Sequence, residues 1–165
     1  MILGINKKTK GSVRSLFVLF AVISLSLFAC SSPQASCKEE LSALLLGVEL
    51  PAGETYVFGA EEGDAEYLSP EVARSLYGDS AEDALSLCED FAIFISARGA
   101  PFEAAVFRCY SASDCDRVAE MILSRIGDMQ ILLRDTEFAG IYDTAGIDIR
   151  GRIVTLSGVT QKISK

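Results

Sequence analysis

The residues with the most chemistry to offer are five cysteines, Cys30, Cys37, Cys88, Cys109 and Cys115, in a chain with no histidine and no tryptophan. A thiol can be acylated, bind a soft metal, attack as a thiolate or pair as a disulfide. The lack of histidine removes Cys-His and Ser-His nucleophile pairs and every histidine metal site. No serine is followed three residues later by lysine, and no phosphate-cradling glycine loop or dinucleotide fingerprint is present. Catalysis is left with carboxylate pairs, the requirement of many glycoside hydrolases. With 23 acidic residues that requirement selects nothing, and the large indole platforms of sugar-cleaving sites are missing. The chain therefore reads as non-catalytic, with a carboxylate-dependent envelope hydrolase as the alternative.

Two acidic groups invite a metal reading. Glu61, Glu62, Asp64 and Glu66 surround Gly63 and offer oxygen ligands, but not in the spacing of an EF-hand loop, so a solvated loop is expected. Asp114 and Asp116 fall in the first turn of a predicted helix, where carboxylates stabilise the positive end of the macrodipole by about 0.3–1 kcal/mol. Neither group is assigned a metal, and no cofactor is expected. Arg108, in a predicted strand, is either a ligand anchor or, more commonly for such a residue, solvent-facing or paired with a carboxylate.

Lys7, Lys8, Lys10 and Arg14 precede an uncharged apolar run from Leu16 to Ala29, the layout of a secretory signal. The run stops at a polar segment before it reaches the roughly 20 residues a membrane span requires. Its end, Leu27-Phe28-Ala29-Cys30, resembles the lipobox of bacterial lipoproteins, with Phe28 where a small or β-branched residue is usual. The resemblance implies diacylglyceryl modification of Cys30, cleavage before it, and a palmitate-type anchor in the cell membrane on its extracytoplasmic face. Two acyl chains on one cysteine hold stably where one does not. The organisation expected is residues 1–29 as signal peptide, 30–37 as lipidated cysteine and flexible spacer, and 38–165 as one extracytoplasmic domain. If the lipobox is not used, the product is a secreted soluble domain.

Residues 1–29 hold four of the 15 Lys and Arg residues and none of the 23 acids, which leaves a net charge of −12 from Cys30 onward. Nucleic-acid binding needs clustered cations and is excluded as an expectation; attraction to an anionic membrane surface is equally disfavoured. The 136 residues that remain suit one domain with its own core.

The elements that must position these residues follow from hydrophobic period and turn signals. Leu41, Leu44 and Leu45 recur at helical spacing behind Glu39 and Glu40, and Thr55 to Phe58 is β-prone. Ser69-Pro70-Glu71 followed by Gly78 predicts a helix from Pro70 to Tyr77, with a further turn after Ser80. Phe91 to Ile95 and Ala104 to Tyr110, separated by Arg98-Gly99-Ala100-Pro101, predict a hairpin. That hairpin brings Cys88 near Cys109, so a disulfide between them and a pair of buried free thiols are both open. Ser113 is expected to cap a helix whose Val118, Met121, Ile122, Ile126 and Met129 form one stripe. Ile147 and Ile149, then Ile153 to Leu156, flank Arg150-Gly151-Arg152 and suggest a second hairpin or one bent strand, and Gln161 to Lys165 a polar tail. The order predicts an α+β domain, an antiparallel sheet with helices on one face.

From Glu103 onward, Glu103-Ala104-Ala105-Val106-Phe107, a helix holding Arg125 and Gln130, a loop with Tyr142 and a closing Gly151-Arg152-Ile153-Val154 strand appear in order. With the lipobox, the pattern from about Leu68 to Leu156 resembles small predicted lipoproteins of anaerobic Gram-positive bacteria that contain a domain of unknown function. The resemblance implies an envelope location and a one-domain fold, and carries no catalytic residue. The expected role is a lipid-anchored extracytoplasmic binding or interaction module whose partner is an envelope protein or small ligand.

Overall fold

The computed structural model describes residues 34–97 and 101–159. The expected signal peptide, Cys30, the first residues of the expected spacer, most of the Arg98–Pro101 turn and the expected Gln161–Lys165 tail lie outside the described residues.

Residues from Ala35 onward form one α+β domain on a five-stranded antiparallel sheet. In chain order the elements are α1 (Cys37–Leu44), β1 (Gly53–Val57), α2 (Pro70–Tyr77), α3 (Ala81–Leu85), β2 (Cys88–Ser96) and β3 (Glu103–Cys109). A 3-10 turn (Ala112–Asp114) leads into α4 (Cys115–Leu133), a second (Ile141–Thr144) follows, and β4 (Gly146–Arg150) and β5 (Ile153–Val159) close the chain. The strand order is β1-β2-β3-β5-β4, so the expected β2–β3 hairpin forms, the C-terminal segment is a hairpin and not one bent strand, and β3 joins the two through β5.

The local signals explain the element ends. The Ser69 hydroxyl accepts the amide of Val72, Pro70 occupies the first turn, and Gly78 ends α2 at φ 78°, a backbone region that favours glycine. At α1, Ser36 and Glu39 form a reciprocal capping box. The cap before α4 differs from expectation. Asp114, not Ser113, stands at the cap position of α4, and Ser111 caps the 3-10 turn before it; the Asp114 carboxylate accepts from the Ser111 amide at 2.9 Å and from its hydroxyl at 2.7 Å. Asp114 is thus consumed by capping, and Asp116 lies in the first turn of α4.

Strand alternation divides the core in two. Phe91, Ile93, Phe107, Val154 and Leu156 point to one face, where α2, α3 and α4 pack with Tyr77, Val118, Met121 and Ile122. Ala92, Phe94, Ala104 and Val106 point to the other, under Cys37 and Leu41 of α1. The 19-residue α4 shares its face with α2 and α3, and the eight-residue α1 covers part of the opposite one because its apolar stripe is only two residues deep. That small helix packs on β2 and β3 and, among the described residues, leaves the outer face of β5 and β4 open. The site lies in this gap.

Candidate binding cleft and the buried polar groups around it

Beside α1, the uncovered outer face forms a cleft of about 540 Å³. Val106 and Ile153 line it with Ala43 and Leu44 of α1; Thr155 and Ser157 of β5 add hydroxyls, and Asp148 and Arg150 of β4 and Glu40 of α1 add charge. The period of two produces this set. Val154 and Leu156 are buried under the helices, so Ile153, Thr155 and Ser157 face outward. Asp148 and Arg150 alternate with Ile147 in the same way, and their side chains pair at 2.6 Å.

Glu40 is held in place from below. Arg108, with only 7% of its side chain exposed, donates Nη2 to Glu40 Oε1 at 2.8 Å and to the Ala35 carbonyl, and approaches Asp90 Oδ2 at 3.5 Å. Asp90 in turn accepts the Cys37 amide at 2.7 Å. Burial first, and the Asp90 charge second, push the Cys37 thiol up to about 12. Of the readings open for Arg108, pairing with carboxylates is the one the structure contains. It is a structural anchor under α1, not a free ligand-binding group.

On the opposite face lies a second polar cluster. Glu103, fully buried at the start of β3, accepts the Tyr142 hydroxyl at 2.8 Å and the Arg125 Nε at 3.2 Å, with the Tyr77 hydroxyl at 3.4 Å. Burial raises the Tyr77 and Tyr142 hydroxyls, and the Glu103 charge raises them further. Burial alone would lower Arg125, but the Glu103 carboxylate reverses that and raises it overall. The partners lie 26, 22 and 39 residues from Glu103, so no local spacing marks the network. The one signal in the sequence is a carboxylate opening the apolar run Ala104 to Phe107. Next to Tyr142, Gln130 donates to Asp143 at 3.1 Å, so the ordered residues Glu103, Arg125, Gln130 and Tyr142 converge at one corner of the fold.

Cys88 and Cys109 are paired in the β2–β3 register, with Cys115 at the start of α4 beside them, and all are buried free thiols. Burial pushes Cys88 up to about 12 and raises Cys109 as well, which leaves little thiolate for nucleophilic attack or metal binding. No group of three metal-ligating side chains occurs among the described residues. The acidic loop is exposed: Asp64 accepts the Glu61 amide at 3.1 Å, and Glu66 pairs with Lys38 at 2.7 Å. No helix among the described residues is long and apolar enough to cross a membrane.

No known family model, curated protein or solved structure matches the chain.

Proposed function

We propose that this protein is a lipid-anchored, non-catalytic binding module on the extracytoplasmic face of the cell membrane, and that the cleft between α1 and the β5–β4 edge takes its ligand. The observation that carries the binding role is the composition of that cleft, an apolar floor of Val106 and Ile153 bordered by Glu40, Asp148, Arg150, Thr155 and Ser157. Small-molecule sites combine an apolar lining with a few placed polar groups in about 300–1,000 Å³. Charges of both signs with two hydroxyls suit a small zwitterionic or polyhydroxylated ligand, such as a short peptide or an amino sugar of the envelope. The anchor rests on Cys30 at the end of its apolar run, and the resemblance to small predicted lipoproteins points to the same compartment.

The carboxylates favour binding over hydrolysis. A glycosidase needs one carboxyl group that holds a proton beside a second that does not. In the cleft Glu40 is engaged by Arg108 at 2.8 Å and Asp148 by Arg150 at 2.6 Å.

The test is a thermal-shift panel on the soluble chain from residue 31, with amino acids, short wall peptides, amino sugars and calcium, and an EDTA control. Ligand at 100 times its dissociation constant adds about 2.7 kcal/mol, a rise of several degrees for a domain of this size. The expected rise comes from a peptide or sugar and disappears in Thr155→Trp, which fills the cleft floor. A rise that survives Thr155→Trp moves the site elsewhere, and turnover of a wall glycan or peptide overturns the non-catalytic reading.

A further inference from the structure

The segment that leaves α1 carries an unusual load of exposed apolar side chains. Leu44, Leu46, Val48 and Leu50 fall within seven residues, all exposed, Leu46 by 85%. An ordered turn presents them: the amide of Leu46 bonds to the Ala43 carbonyl at 3.3 Å, that of Val48 to the Leu45 carbonyl at 3.1 Å, and Gly47 takes φ 80° to reverse the chain. Leu45, Leu46 and Leu50 also line a groove of about 410 Å³ with Leu41 and Phe94, bordered by the Lys38–Glu66 ion pair, so the apolar rim continues along one side of it. Water-facing clusters of this kind mark contact surfaces.

The position of the rim selects its occupant. Resting on the reading of Cys30 as the lipid anchor, five residues separate the bilayer from Ala35, a reach of about 17 Å when fully extended. The Ala35 carbonyl is fixed to the sheet by Arg108, so the tether cannot lengthen by unravelling the start of α1 without breaking that contact. From there α1 is eight residues long, about 12 Å, and the rim begins at its far end. The rim is therefore within tether reach of the membrane that carries the anchor, at a high effective concentration.

We propose that Leu44, Leu46, Val48 and Leu50 form a second, shallow contact with the bilayer and fix the orientation of the domain on it. Leu44 belongs both to this rim and to the wall of the cleft, so docking sets the cleft beside the membrane surface. The contact is apolar in origin: Glu39, Glu49 and the net charge of −12 oppose anionic headgroups. The two acyl chains hold the chain at the membrane, and the rim supplies its orientation there.

The absence of native tryptophan gives a clean test. The full-length chain with Leu46→Trp is produced in a lipoprotein-processing bacterium, its anchor verified by intact mass, and reconstituted into phosphatidylcholine vesicles with brominated acyl chains. Leu132→Trp is the control, an exposed apolar position on α4 against the opposite face of the sheet. Expected is blue-shifted, quenched emission from position 46 and none from position 132. Adding Val48→Ser and Leu50→Ser is expected to lower the docked-to-undocked ratio about tenfold, or about 1.4 kcal/mol, since both substitutions remove apolar area that docking buries. Unquenched emission at position 46 in the anchored protein, or equal quenching at both positions, overturns the proposal. If intact mass shows no lipid, the anchor reading fails by itself, and coupling the chain through Cys30 to maleimide lipid asks the orientation question separately with the same two reporters.

Discussion

Arg125, midway along α4, donates its Nε to a carboxylate oxygen of Glu103 at 3.2 Å, and the glutamate it reaches is fully buried. This contact joins the longest of the described helices to the first residue of the central strand, and Tyr142 closes it from the β4 side. Removing one member of a buried ion pair costs about 3–5 kcal/mol because the other is left uncompensated. Glu103→Gln is expected to fall in that range by urea unfolding. A cost under 1 kcal/mol would mean that water already relieves the pair.

The two tyrosines are expected to differ. Tyr142 donates at 2.8 Å and Tyr77 at 3.4 Å to the same carboxylate. Hydrogen bonds to charged groups contribute about 1.5–3 kcal/mol and weaken with distance. Tyr142→Phe should lie in that range and Tyr77→Phe below it. The reverse order, measured in the same denaturant series, would reject the assigned geometry.

Stability should fall in alkali, and the sign follows from the buried acids. Cys37 and Cys88 are pushed from 9.0 up to about 12, chiefly by burial, and Tyr56 from 10.0 up to about 12 by burial and its bond to Glu54. The unfolded chain releases these protons first, so above pH 9 it binds fewer than the folded chain and unfolding becomes easier as pH rises. Below pH 9 the contribution is fully present; between 9 and 12 it is lost. Melting temperature against pH should be level from 7 to about 9 and then decline, less steeply in Cys88→Ala. A level curve to the top of that window would contradict the burial of the thiols.

Thiol counting separates the two readings of the β2–β3 cysteines. Cys37, Cys88, Cys109 and Cys115 are free and buried. The chain from residue 31, denatured without reductant, should release four thiols to a colorimetric reagent, and the native protein none on the same timescale. A count of two would mean one bridge, and peptide mapping that joins the Cys88 and Cys109 fragments would assign it to the register partners.

Much of the fold was legible because its signals are local. Ser69, Pro70 and Gly78 bound α2 as written, and the alternation of Phe91, Ile93 and Ile95 marks the face that the helices cover. What was not legible depends on chain segments far apart. Nothing near Tyr142 announces that a 3-10 turn buries it against Glu103, and the apolar repeat of α4 gives no sign that Ser111, through Asp114, begins the helical run two residues before Ser113. The cleft was hidden for a related reason. Thr155, Ser157, Asp148 and Arg150 read as the solvated side of a hairpin, and they become a lining only because α1 is too short to cover them.

The most direct test of the central claim is the state of Cys30 in cells. Expression of the full-length chain with an alkyne-tagged palmitate, followed by membrane fractionation and intact mass, should give a labelled, membrane-bound product that begins at Cys30 and carries a diacylglyceryl group; Cys30→Ala should abolish the label. An unlabelled wild-type protein, cut elsewhere and recovered free of the membrane, would contradict the account.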